Sequence, residues 1–242
     1  AIDNSGGVDL SDHEVNIKIL LKDVMADGAL DLDSRNVLLE EMTPAVVDLV
    51  LANNYSQSLA LSMAAPRSVT DLQLFSTLQD YLAERGGLDP RVESLPTARQ
   101  LQELQRAGLG YSRPELAVLL AYVKMGLYRR LLETDLPEEP HFRHYLVDYF
   151  PPVLFERFPE RLLNHSLRRE ITATQFTNRV VDILGISYVH RLIRDTGASP
   201  VEVIRASLIA LELIRGDDFI RAVFDLDNRV PADLQYRLLG EM

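Results

Sequence analysis

The run Ser112-Arg113-Pro114-Glu115-Leu116-Ala117-Val118-Leu119-Leu120-Ala121-Tyr122-Val123 decides the fold class. Leu116, Leu119, Leu120 and Val123 fall at i, i+3, i+4 and i+7, and Leu127 and Leu131 carry the stripe on for about four turns. That spacing gathers the apolar side chains on one helical face. Ser112 and Glu115 form a capping box ahead of the stripe, and Pro114 sits in the first turn, where its missing N–H costs nothing. The same reading extends in both directions. Ile17, Leu20, Leu21 and Val24 make a second stripe; Val201, Ile204, Leu208 and Leu211 make a third. Ser11-Asp12-His13-Glu14 and Ser199-Pro200-Val201-Glu202 repeat the capping box, and Thr43-Pro44 and Asp89-Pro90 are further start signals. Stops fall at Gly28, Gly86-Gly87, Gly108, Gly185, Gly197 and Gly216. Strict alternation over a strand's length is hard to find. The pattern predicts an all-α fold, a multi-helix array of roughly ten helices joined by short turns.

Composition narrows the function classes. With 242 residues, 47% hydrophobic and 25% charged, the chain is long enough for one or two domains with a real core. It has no cysteine, which excludes disulfides, thiolate metal sites and a cysteine nucleophile. The 25 basic and 36 acidic side chains leave a net charge of −11, a field that repels phosphate backbones and anionic lipid, so neither nucleic acid nor membrane is expected as a partner. No run approaches the roughly 18 apolar residues of a membrane span, and no secretory signal pattern opens the chain. The opening at Ala1 and the close at Gly240-Glu241-Met242, inside an amphipathic pattern, read as a segment of a larger cytoplasmic polypeptide. Prolines concentrate between Pro137 and Pro159, marking a soft internal boundary.

Residues 1–10 do not fit the helical pattern and are expected to form a short non-helical Gly-Gly loop before the capping box at Ser11. A double glycine lets backbone approach a ligand closely. A helix N-terminus beside it favours an anionic group. Asn4 adds an amide, and Ser11 a hydroxyl able to donate to a carboxylate. The plainer alternative is a Gly-Gly turn before a well-capped helix.

Other constellations fail on spacing. His13-Glu14 begins like a His-Glu-x-x-His zinc helix, but Ile17 stands where the second histidine belongs. His141 and His144 lack a carboxylate at matching spacing, and Asp31-Leu32-Asp33 lacks the remaining ligands of a calcium loop, so Asp31 or Asp33 is read as a helix N-cap. No metal site is expected. Arg168-Arg169 is read as a salt-bridged helix surface, and Gly108-Leu109-Gly110 as a helix-to-helix turn, since it lacks a third glycine and follows helical pattern. Tyr149 and the aromatics from Phe150 to Phe158 read as core or helix-interface residues.

Asn4-Ser5-Gly6-Gly7-Val8, followed by Ser11, resembles the Asn-Ala-Gly-Gly-Val…Ser segment of glutamate dehydrogenases. The longer run from Ile2 to Ile19 is similar to the large bacterial NAD-dependent members in particular. Ser112 to Tyr122, Leu136-Pro137-Glu138-Glu139-Pro140 with Tyr149-Phe150-Pro151, Leu167 to Ile171, and Leu226-Asp227-Asn228-Arg229-Val230-Pro231 extend the resemblance along almost the whole chain. Gly6 departs from the alanine that large members often carry there.

The resemblance implies concrete roles. Asn4 would touch the nicotinamide half of NAD. Gly7 and Val8 would wall the substrate against the nicotinamide ring, and Ser11 would hydrogen-bond the side-chain carboxylate of L-glutamate. Residues 1–60 would be the end of the catalytic domain, with a cleft loop and pivot helices, and residues 61–242 a C-terminal helical domain. The parent enzyme would convert L-glutamate, water and NAD to 2-oxoglutarate, ammonium and NADH in amino-acid catabolism, and would be a homo-oligomer. The family's catalytic lysine and aspartate belong to a segment upstream in the same polypeptide, with no matching motif here. No catalytic residue is therefore assigned, and this chain alone is not expected to oxidise glutamate. The alternative is a helical regulatory or oligomerisation domain with no ligand site of its own.

Overall fold

A computed structural model of the chain describes residues 2–240, with side chains from residue 5 onward. The described residues are helical and turn structure with no strand, as the periodicity requires. Two compact units are present, one of residues 1–58 and 134–175, the other of residues 59–133 and 176–242.

The first unit holds α1 (Ile2–Ala26) and the opening part of α2 (Leu32–Thr70). Two short 3-10 turns, Leu136–Glu138 and Pro140–Phe142, follow later in the chain, then α6 (Arg143–Tyr149), α7 (Pro152–Arg157), α8 (Pro159–Leu163) and the start of α9 (Arg168–Leu184). Asp31 caps α2, its Oδ1 accepting from the Ser34 N–H at 2.7 Å. The stripe read at 17–24 is buried here: Ile17, Leu20, Leu21 and Val24 pack with Leu38, Met42, Leu146, Phe150, Leu154 and Leu162. Arg168 and Arg169 donate to Glu138 at 2.9 and 2.7 Å, the salt-bridged surface expected of them.

The second unit holds α3 (Leu72–Arg85), α4 (Ala98–Ala107), α5 (Arg113–Leu132), α10 (Tyr188–Thr196), α11 (Pro200–Leu213), α12 (Gly216–Phe224) and α13 (Ala232–Gly240), with the remainders of α2 and α9. Helix α5 buries Leu116, Leu119, Leu120, Val123, Leu127 and Leu131, every position of the quoted stripe. Its capping box is present, with Glu115 accepting from the Ser112 N–H at 2.6 Å. The Ser199–Glu202 box opens α11 in the same way. Gly108 ends α4 in the left-handed region at φ 66°. Gly110 lies so close to α2 that a Cβ there would fall 2.3 Å from Ser68 Oγ, a contact only glycine permits.

Several boundaries differ from the expectation. Residues 5–10 lie in α1, so the Gly6-Gly7 segment is helix rather than loop, and Ser11 sits inside that helix instead of capping it. Each glycine weakens a helix by roughly 0.5–1 kcal/mol relative to alanine. The buried face that α1 presents from residue 13 to residue 24 holds the helix well beyond that penalty. Thr43-Pro44 does not start a helix but lies within α2, where buried Leu38, Met42 and Val46 keep the axis continuous across the lost hydrogen bond. Asp89-Pro90 opens only a turn, Asp89 Oδ1 accepting from the Arg91 N–H at 2.9 Å, and α4 starts instead at a Thr97–Gln100 capping box. Gly216 begins α12, while Arg215 at φ 54° makes the break that a stop glycine was expected to make.

Candidate functional site

The N-terminal half of α1 carries polar residues where its C-terminal half carries apolar ones. At about 100° per residue, Asp9, His13 and Asn16 continue the row of Ile17, Leu20 and Val24, so a helix that buries the stripe also buries them. His13 and Asn16 are buried. Burying such groups costs free energy unless partners are found, and α6 supplies one. Tyr149, the last residue of α6, donates its hydroxyl to Asp12 Oδ2 at 2.9 Å and accepts from Asn16 Nδ2 at 2.8 Å. Its ring stacks on the His13 imidazole with centroids 4.3 Å apart. His165 closes the cluster from the turn before α9. Its Nδ1 accepts from the Leu167 N–H at 3.1 Å, which leaves the proton on Nε2 to donate to the Asn16 carbonyl at 3.0 Å.

The electrostatics follow from burial. Desolvation pushes the pKa of His13 below its ordinary value, against the pull of Asp9 and Asp12, and does the same to His165 against its bond to Asn16. Both imidazoles are therefore held neutral. Burial also drives the Tyr149 phenol far above its usual range, so it acts as a hydrogen-bond donor and not as an acid. Asn16 Oδ1 and His13 Nδ1 are buried with no hydrogen-bond partner among the described residues.

The residues expected at the site lie on the opposite face. Gly7, Val8 and Ser11 fall within about a third of a turn of one another on the side of α1 away from the buried row. Val8 is 62% exposed, Ser11 is exposed, and a Cβ on Gly7 would meet nothing within 4 Å. The structure thus brings these three into one open strip. The Asn4 side chain lies outside the described residues. Ser11 does not offer the free N–H groups expected at a helix start, because inside α1 those groups are spent on the helix itself and only the hydroxyl remains as a donor. Sequence reasoning missed the His13–Tyr149–Asn16–His165 network. The available signal was polar side chains on the inward positions of an otherwise apolar stripe, whereas Tyr149 and His165 lie more than 130 positions away along the chain.

Two family models match the chain. One, described as the catalytic domain of bacterial NAD-glutamate dehydrogenase, covers residues 1–64 and so contains the strip and the α1 side of the network. The other, described as the C-terminal part of glutamate dehydrogenase, covers residues 108–242. The chain belongs to the glutamate dehydrogenase family. Among its relatives are proteins named NAD-specific glutamate dehydrogenase from Pseudomonas aeruginosa, 42% identical over 241 residues, and from Halomonas elongata, 38% identical over 241 residues. Each match covers 100% of this chain and 15% of the relative. A third, from Mycobacterium tuberculosis, is 40% identical over 216 residues, or 89% of this chain and 13% of that protein. The chain therefore spans about 15% of the length of these relatives.

Proposed function

We propose that this chain is the C-terminal part of an NAD-dependent glutamate dehydrogenase, and that the exposed strip of α1 forms one edge of its active site. The parent reaction is the conversion of L-glutamate, water and NAD to 2-oxoglutarate, ammonium and NADH. The observation that carries the reading is a coincidence of position: Gly7, Val8 and Ser11 share an open helix face within the segment that resembles the family's catalytic domain. Residues 1–60 are accordingly assigned to the end of the catalytic domain and residues 61–242 to the C-terminal helical domain. A cytoplasmic location and a role in amino-acid catabolism follow from the same reading. No helix among the described residues is long and apolar enough to cross a membrane.

The residues present fit an edge of a dinucleotide site and not a whole one. Gly7 leaves open space and Val8 an exposed apolar surface against which a flat ring can lie, but the described residues include no strand and so no strand-to-helix glycine loop to hold a pyrophosphate. When bound, NAD supplies the hydride acceptor. The chain's own contribution is positional. Val8 and Gly7 limit where the substrate lies, the Ser11 hydroxyl donates to the substrate's side-chain carboxylate, and Asn4 contacts the nicotinamide half of the cofactor. The network of His13, Tyr149 and Asn16 holds α1 rigidly beneath them.

The test is Ser11→Ala in the full-length enzyme. Losing one hydrogen bond to a carboxylate, about 1.5–3 kcal/mol, should lower kcat/KM for glutamate at least tenfold. Unchanged kcat and KM would remove Ser11 from the site.

One observation favours an additional role for residues 61–242 as a regulatory or subunit-contact domain. Leu213 and Ile214 are 80% and 58% exposed at the end of α11, with Phe219 also exposed on the next helix. Apolar side chains of this kind suit contact between copies in a homo-oligomer. A strictly monomeric parent enzyme in light scattering would count against it.

A further inference from the structure

The second unit contains a cavity of about 350 Å³ bounded by α3, α5 and α10. That is the size of a small-molecule site, for which about 300–1,000 Å³ is usual. Its floor is apolar, formed by residues such as Leu78, Val123 and Ile186, with the Tyr81 ring beside it. Three arginines line it as well: Arg85 from the last turn of α3, and Arg129 and Arg130 from the last turn of α5. None of the three forms an ion pair among the described residues, and the one acid on the lining is Glu133. In a chain of net charge −11, this concentration of positive charge runs against the general field.

Two details point inward. Gly126 stands in the middle of α5, where glycine weakens a helix, yet a Cβ there would meet nothing within 4 Å. No neighbour's close approach requires the glycine; its effect is to keep the cavity open. His190, also on the lining, is the second. Thr77 donates its hydroxyl to the Leu74 carbonyl at 2.9 Å, so toward His190 it accepts, from Nε2 at 3.1 Å. The buried Nδ1 is left without a hydrogen-bond partner among the described residues. Arginines in a last turn complement the helix dipole, which accounts for their places in sequence. It does not account for three of them converging on one apolar cavity.

We infer that this cavity is a binding site for a small organic anion, whose flat apolar body lies on the floor and whose phosphate or carboxylate is held by Arg85, Arg129 and Arg130. Guanidinium forks suit both head groups. The site is separate from the α1 strip and does not depend on the assignment of that strip.

The test titrates the full chain with 1-naphthyl phosphate, 1-naphthoate and neutral 1-naphthol, followed by calorimetry. At least one anion is expected to bind once per chain and about tenfold or more tighter than 1-naphthol, the tighter of the two identifying the preferred head group. Gly126→Leu should fill the cavity and weaken that binding about tenfold or more, while its melting temperature stays equal or rises. Arg85→Gln with Arg129→Gln, both changes at exposed positions, should weaken the anions and leave 1-naphthol unaffected. The inference is overturned if neither anion binds, if 1-naphthol binds as tightly as the anions, or if binding is the same in both variants as in the parent chain.

Discussion

The two units bury polar groups in different ways. The first builds a hydrogen-bond network, in which Tyr149 joins the exposed Asp12 carboxylate to buried Asn16 and stacks on an uncharged His13. The second hides an ion pair: Lys124 on α5 donates to Asp182 on α9 at 2.7 Å, with the two side chains 17% and 3% exposed. Burial pushes the Asp182 carboxyl upward, and the Lys124 ammonium opposes the shift. The ion pair ties two helices together, so its meaning is structural, although Asp182 Oδ1 is itself buried without a hydrogen-bond partner among the described residues. The network keeps two polar atoms without partners and lies directly behind an open strip in the catalytic-domain match. An unpaired uncharged atom costs about 1–3 kcal/mol, whereas an ion pair that loses a member leaves a buried charge and costs more.

The largest expected effect tests that last point. Asp182→Ala strands Lys124 and should cost about 3–5 kcal/mol in urea denaturation, most of it recovered when Lys124→Met is added. A loss below about 1 kcal/mol would make the pair no more demanding than a surface contact. Tyr149→Phe should cost less, about 1–3 kcal/mol, because it leaves the buried Asn16 amide unpaired while keeping the ring stack. In the full-length enzyme it should also lower kcat for glutamate, an effect that Asp182→Ala, measured below its unfolding transition, should not share.

The pH response is common to both units. Burial lowers the pKa of His13 and His165 in the first unit and of His190 in the second, the last with help from Arg194. Between each folded value and the ordinary 6.5, the unfolded chain binds more protons than the folded one. Stability therefore rises with pH across that window and is lost as pH falls below 6.5. His13→Phe keeps a ring against Tyr149 and removes one titrating group, so melting temperatures taken from pH 7.5 down to 5.5 should fall less steeply than in the parent chain. An unchanged slope would mean that His13 takes up its proton in the folded state as readily as in the unfolded chain. The smallest effect is local to the second unit: Ser199→Ala removes the cap of α11 and should cost about 1 kcal/mol, with no effect on catalysis.

Much of the fold is legible in the residues themselves. The stripe from Leu116 to Leu131 is buried at every quoted position, and the caps at Ser112, Ser199 and Asp31 form as their spacing demands. These are local properties, set by 3.6-residue periodicity and by side chains that reach N–H groups three residues away. The same holds for the residues that carry the family resemblance.

Other features depend on distant residues and had to await the tertiary structure. The helix through Gly6-Gly7 and the axis through Pro44 both persist against local preference because buried faces elsewhere on those helices hold them. The return of residues 134–175 to pack with residues 1–58 brings Tyr149 to Asn16 across 133 positions, and no local pattern announces it. The meeting of Arg85, Arg129 and Arg130 around one cavity is of the same kind. Periodicity determines which side of each helix faces inward. Which polar groups then meet there is decided by helix packing, because a buried hydrogen bond or a cavity wall needs partners that the chain supplies from far along its length.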